Sequence, residues 1–216
     1  MGRADTLARI RATGIIPVIR APSAEDALAA VEAMRAGGID IIELTMTVPS
    51  AIKVIEQVAE RYGDAVVVGA GTVLDAETAR AAILAGAAFV VSPIVDLPTI
   101  RVCRTYGIPV VPGGLTPTEI VDAWRAGADL VKVFPCGSLG GASYIKALRA
   151  PLPQIELVPT GGVTAATVGD FIAAGACAVG AGGDLVDIAR LARGDHAGLT
   201  ENARRYVAAV QHARKA

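Results

Sequence analysis

Eight short apolar runs, recurring roughly every 20 to 27 residues, constrain this chain more than anything else in it. They are IIPVIR (15–20), DIIELTM (40–46), AVVVGA (65–70), AFVVSP (88–93), IPVVP (108–112), DLVKVF (129–134), IELVPT (155–160) and CAVGAG (177–182). Each is continuous or nearly so, rather than alternating. That is how strands covered on both faces read, and it points to a parallel sheet with helices outside it.

The intervening segments have helical period and cap signals. SAEDALAAVEAMRAGG opens with Ser23 as N-cap and Asp26 at the third helical position, and it closes on Gly37. DAETARAAILAGA and TPTEIVDAWRAGA follow the same plan. A partial repeat runs through the chain: AGGIDIIEL, AGAAFVVSP, AGADLVKVF and AGACAVGAG each set an Ala-Gly immediately before a strand, the second, fourth, sixth and eighth. Eight strands alternating with helices predict a (β/α)8 TIM barrel of near-minimal length. The alternative, a doubly wound open sheet, would carry fewer strands and a nucleotide-type turn after the first; here RAPSAEDA follows instead. Residues 3–12 read as an extra N-terminal helix closing the bottom of the barrel. No linker divides the chain, so residues 1–216 are expected to form a single domain.

Composition excludes several classes. The formal net charge is −1, with no basic stripe for nucleic acid and no Lys/Arg cluster for a membrane surface. No apolar stretch is long enough to span a bilayer, and the first 14 residues lack the apolar region of a signal peptide. Cys103, Cys136 and Cys177 form no CxxC pair, which fits a reducing compartment, and His196 and His212 sit on C-terminal segments that read as surface helix. A cytoplasmic protein without a catalytic metal or other cofactor is expected.

In such a barrel, chemistry belongs at the carboxyl ends of the strands. The polar residues there are Arg20, Glu43 with Thr45 and Thr47, Thr72, Ser92, Lys132, Thr160 with Gly161 and Gly162, and Gly182 and Gly183 with Asp184. Lys132 and Glu43 are single ionisable residues in otherwise apolar strands. They could form a buried structural ion pair. They could equally be a desolvated amine, neutral enough to attack a ketone, beside a proton-shuttling carboxylate. The glycine pairs 161–162 and 182–183 are either tight turns or backbone donors for an anion, and loops seven and eight are the usual phosphate pair of this fold. Gly71 reads as a turn residue, and the Thr72 hydroxyl as a contact for a substrate oxygen. Arg20 is a surface cation or a fork for a carboxylate. Trp124 is expected to pack a helix on the barrel, and Cys136 to line the pocket without reacting.

With Lys132 in VKVFP, Glu43 in IIELTMTVP, VGAGTV at 68–73, PGGLTPTE at 112–119 and VPTGGV at 158–163, the chain resembles the 2-keto-3-deoxy-6-phosphogluconate (KDPG) and 4-hydroxy-2-oxoglutarate (KHG) aldolases from about Ile15 to Asp187. The resemblance implies a class I, Schiff-base aldolase that releases pyruvate and an aldehyde, glyceraldehyde 3-phosphate or glyoxylate. It makes Lys132 the Schiff-base lysine and Glu43 the general acid and base. Arg20 and Thr72 become contacts for the pyruvoyl end, Pro93, Phe134 and Thr160 pocket walls, and Gly161 and Gly162 phosphate donors, joined by Gly182 and Gly183. It also implies a homotrimer needing no metal. Two positions depart from the family pattern. Thr47, kept among the substrate contacts, stands where some members carry an arginine, and Gly183 followed by Asp184 stands where many carry a serine that binds phosphate. The rival readings are a phosphosugar isomerase or epimerase on the same barrel, and a non-catalytic sugar-phosphate-binding subunit.

Overall fold

A computed structural model describes residues 1–215. Helix α1 (Arg3–Thr13) precedes β1 (Ile15–Ile19), α2 (Ala24–Ala36), β2 (Ile41–Thr45), α3 (Ala51–Tyr62) and β3 (Val67–Gly71). Then come α4 (Ala76–Leu84), β4 (Val90–Val91), α5 (Leu97–Thr105), β5 (Val110–Val111), β6 (Gly113–Gly114) and α6 (Pro117–Arg125). The chain continues through β7 (Val131–Val133), α7 (Ala142–Arg149), β8 (Leu157–Pro159), α8 (Val168–Ala173), β9 (Val179–Ala181), α9 (Ile188–Ala192) and α10 (His196–Ala213).

All eight apolar runs contain strand, and every pairing is parallel. The fifth run differs from expectation by being split. Pro112 has no N–H to give a ladder, so β5 pairs with β4 while β6, just past the proline, pairs with β7. The ladders run β5-β4-β3-β2-β1-β9 and β6-β7-β8, and a bridge between Thr160 and Gly180 joins the β8 and β9 segments. The result is a curled parallel α/β sheet.

Caps form where the sequence signals them. The Ser23 hydroxyl accepts the Asp26 N–H at 3.0 Å, Asp75 caps α4 through Thr78, and Thr116 with Glu119 makes a reciprocal capping box on α6. The four repeats end their helices with a left-handed glycine, at φ +92° (Gly38), +98° (Gly86), +99° (Gly127) and +97° (Gly175). A side chain would be strained there, which is why the repeat keeps glycine. In the first repeat the left-handed residue is Gly38, one position beyond the expected Gly37.

Alternation along the strands separates two cores. Ile15, Ile42, Val68, Val90, Val110, Val131, Val133, Leu157 and Val179 pack in the larger cluster with the helices. Their neighbours Ile16, Ile41, Val67, Val91, Val111, Leu130, Val158 and Ala178 form a second cluster with Ile10 and Phe89, on the inner face of the curl. Helix α1 lies against the amino ends of the strands. Arg3 forks onto Asp129, Arg11 onto Glu156, and Arg9 reaches Asp40. Trp124, expected to pack beneath its helix, is instead 43% exposed on α6. Cys136 packs in the helix-side cluster, with its thiol against the Gly141 carbonyl, and does not line the inner face.

Candidate active site

Period two carries the inner face from apolar to polar within each strand. Glu43 follows Ile41, Lys132 follows Leu130, Thr160 follows Val158, and Arg20 continues the side of Ile16 and Val18. Both Glu43 and Lys132 are 2% exposed. Register places Val18 opposite Glu43, Glu43 opposite Gly69, and Lys132 between Gly113 and Val158. The two charges therefore approach across the interior rather than along a ladder.

Space for the carboxylate comes from a glycine. A Cβ built on Gly71 would overlap the Glu43 carboxylate, so Gly71 is a niche and not simply a turn residue. Gly69 likewise yields to the Phe89 ring and Gly180 to the Thr160 side chain. The Glu43 Oε1 atom is buried without a hydrogen-bond partner, and among the described residues no direct ion pair joins Glu43 to Lys132. The structural ion-pair reading lacks its bond. A buried polar oxygen without a partner is costly, and such groups mark places kept open for something else.

Burial pushes Lys132 below the ordinary range of an amine; the carboxylate opposite works against this, while the Arg20 cation adds to it. Burial pushes the Glu43 carboxyl above its ordinary range, opposed by Lys132 and Arg20. Both groups are thus driven toward their neutral forms, an amine with a free lone pair and an acid with a proton to give. The Lys132 Nζ atom lies 4.9 Å from the centre of the half-buried Phe134 ring. A wall of that kind keeps water from the amine.

Around this pair the remaining positions divide. The exposed Arg20 guanidinium lies across Gly182, where a Cβ would come within 3.2 Å of Nη1. Thr72 sits just past β3 at φ +57°, a conformation that strains a β-branched residue and that concentrates at functional sites. Pro93 is half-buried, with its backbone against Gly113, and Thr160 is 5% exposed. Gly161 is half-exposed, and Gly162 and Gly183 are exposed. Ser92 is turned into its own loop, accepting the Ile94 N–H at 3.2 Å.

Thr47 is committed inward. The Thr45 hydroxyl gives its one proton to the Ile19 carbonyl at 2.9 Å, so in the 2.6 Å contact between the two threonines Thr47 must be the donor. Outward, Thr47 offers lone pairs, which suit a hydroxyl better than a carboxylate. Asp184 is also committed: its Oδ2 accepts the Ala165 N–H at 3.1 Å and the Tyr206 hydroxyl at 2.7 Å. Tyr206 was not among the residues singled out from the sequence; it lies far along the chain in a segment that reads only as amphipathic helix.

A curled parallel sheet with a buried amine and a buried carboxyl on its inner face, not paired to each other, has the groups that carbonyl condensation and cleavage need. Residues 7–201 match the family model described as KDPG and KHG aldolase, and the chain belongs to that family. It is 35% identical over 196 residues to the 2-dehydro-3-deoxy-phosphogluconate aldolase of Treponema pallidum (strain Nichols), covering 91% of each chain. It is 37% identical over 172 residues to the 2-dehydro-3-deoxy-6-phosphogalactonate aldolase of Escherichia coli (strain K12), covering 79% of this chain and 83% of that one. It also superposes on a KDPG aldolase from Legionella pneumophila with pyruvate captured at low pH as a covalent carbinolamine intermediate, at TM-score 0.85 and 30% identity, covering 92% and 96% of the two chains. The protein is an aldolase, a lyase of the Schiff-base class, and the isomerase or epimerase reading is the weaker one. No helix among the described residues is long and apolar enough to cross a membrane.

Proposed function

We propose that Lys132 is the Schiff-base residue of this aldolase and Glu43 its general acid and base, acting on a 2-keto-3-deoxy-6-phospho-sugar acid or on 4-hydroxy-2-oxoglutarate. The observation that carries this is the burial of Lys132 on the inner face with no ion pair among the described residues, beside a carboxyl whose Oε1 is itself unpartnered. The neutral amine adds to the C2 ketone and, after proton transfer, gives a carbinolamine, the type of species captured in the Legionella relative. Glu43, whose burial favours its acid form, gives a proton to the departing hydroxyl, and water leaves an iminium. The Glu43 carboxylate then takes the C4 hydroxyl proton. The C3–C4 electrons flow into the iminium, an aldehyde departs, and an enamine remains. Glu43 returns that proton to C3, then takes one from the water that attacks the iminium. Collapse of the second carbinolamine frees pyruvate and the amine. One proton shuttles throughout.

Arg20 and Thr72 hold the pyruvoyl end, with Thr47 as an acceptor beside it. Pro93, Phe134 and Thr160 form the walls, and Gly161, Gly162, Gly182 and Gly183 receive the distal phosphate through backbone N–H groups. The scheme calls on no metal or other cofactor. The pairing from β5 and β6 round to the Thr160–Gly180 bridge supports a closed (β/α)8 barrel with α1 across its bottom, formed by residues 1–216 as one domain. The family resemblance and the three free cysteines support a cytoplasmic homotrimer.

The test is incubation with pyruvate and borohydride followed by mass spectrometry. A reduced adduct on Lys132 is expected; its absence, or its location on another lysine, would overturn the assignment. Parallel cleavage assays with phosphorylated and unphosphorylated 2-keto-3-deoxy acids decide the substrate's tail.

A further inference from the structure

The loops after β8 and β9 carry the glycines assigned above to the far end of the substrate, yet their own helices are short: α8 has six residues and α9 five. They are held from outside, by α10. Tyr206 is fully buried, and its hydroxyl lies 2.7 Å from Asp184 Oδ2 and 3.2 Å from the Val163 carbonyl. The nearer, charged oxygen takes the single proton. The same Oδ2 accepts the Ala165 N–H, so one carboxylate crosses from the β9 loop to the β8 loop. One helical turn earlier, Asn202 is 5% exposed and donates through Nδ2 to the Asp184 carbonyl at 2.5 Å and the Leu185 carbonyl at 3.1 Å. Arg205 in turn holds the Asn202 amide oxygen at 2.6 Å. Burial, with Asp184 beside it, keeps the Tyr206 hydroxyl protonated well above the usual phenol range.

We infer that Asp184 and Tyr206 are positioning residues that fix the separation of the 161–162 and 182–183 backbone segments, and so set affinity for the distal end of the substrate without touching it. The substrate part of this rests on the aldolase reading; the tie between the loops does not. A carboxylate in this place would otherwise repel a phosphate. Here its Oδ2 is taken up by a backbone N–H and a phenol, and the carboxylate ties the two loops together.

Tyr206→Phe keeps the ring in the core and removes the hydroxyl. The expected result is a KM for 2-keto-3-deoxy-6-phosphogluconate raised about tenfold, the scale of one hydrogen bond to a charged group. Its kcat and the rate of borohydride trapping of pyruvate, which has no tail, stay within about twofold of wild type. Amide hydrogen exchange at residues 163–165 and 183–185 quickens while the strands are unchanged. Asp184→Ala should match it, Asp184→Asn should recover most of the loss, and the double variant should be no worse than the worse single one. An unchanged KM, an equal loss of pyruvate trapping, or unaltered loop exchange would each overturn the inference. Failure of wild-type protein to trap pyruvate would sink the aldolase reading instead, and the exchange measurement would still decide the tie.

Discussion

The segment around β7 meets one charge as it enters the sheet and carries another at its middle, and the two are treated in opposite ways. Asp129, just before the strand, has a side chain 4% exposed and fully engaged: Arg3 reaches it at 2.9 and 2.5 Å, and the Val110 N–H at 3.0 Å. Lys132, three positions on, is as deeply buried and has no such partner among the described residues. The same contrast separates the two ends of the sheet, with Arg9, Arg11 and Arg3 of α1 pairing acids at the amino ends, and Glu43 standing open among the residues toward the carboxyl ends. Charge that serves the scaffold is satisfied; the charge proposed above for chemistry is left wanting.

Breaking the second kind should cost activity and not stability. Lys132→Met is expected to reduce cleavage to background and abolish the trapped adduct, with a melting temperature equal to or above wild type, because a buried amine has been replaced by an apolar chain. A fall of several degrees would show that Lys132 is structural after all. Glu43→Gln should lower turnover by about 10² to 10⁴-fold while still allowing some trapping, read by steady-state kinetics. Gly71→Ala presses on the same carboxylate from its niche and should lower kcat by about a hundredfold with little change in KM.

Breaking the first kind should do the reverse. Asp129→Ala leaves the Val110 N–H and the Arg3 fork without their acceptor, and should cost about 2 to 3 kcal/mol in denaturant unfolding, with KM unchanged at a permissive temperature. The smallest effect sharpens the contrast through pH. The folded state holds the Glu43 proton more tightly than the unfolded chain does, because its carboxyl titrates above the ordinary range. Below the unfolded carboxyl's range both states are protonated and Glu43 costs nothing. As pH rises through the window up to the folded value, the cost grows to its full size. Glu43→Gln should therefore gain stability over wild type as pH rises toward 8, and should lose that advantage toward pH 4, read by denaturant unfolding across the range.

How much of this could be read from the chain alone depended on the range of the interaction. Strands and caps announce themselves locally, in runs such as AVVVGA and in Ser23, Asp75 and Thr116, because burial on both faces and capping need only neighbouring residues. Lys132 and Glu43 stood out for the same reason, as lone charges in apolar strands. The niche at Gly71 could not be read locally, since it depends on register across β2 and β3, where Thr45 and not Glu43 is its direct partner. Asp184 looked like an intruder at an anion site because its partners, Ala165 and Tyr206, lie 19 and 22 residues away. Thr72 was legible as a substrate contact, but its left-handed backbone was not, as threonine seldom adopts one without tertiary constraint. Pro112 was visible in IPVVP, but only the ladder shows it dividing one run between two partners.

The interleaving of Lys132 with Val131 and Val133 has a consequence for how this chain can change length. Inserting or deleting one residue between Gly127 and Lys132 would rotate the run by half a pleat, turning a valine toward the interior and driving the amine among the helices. A two-residue change would restore the pleat, whereas the approach to this strand tolerates no odd-numbered indel, so counting residues there is as good a guide to retained activity as finding the lysine.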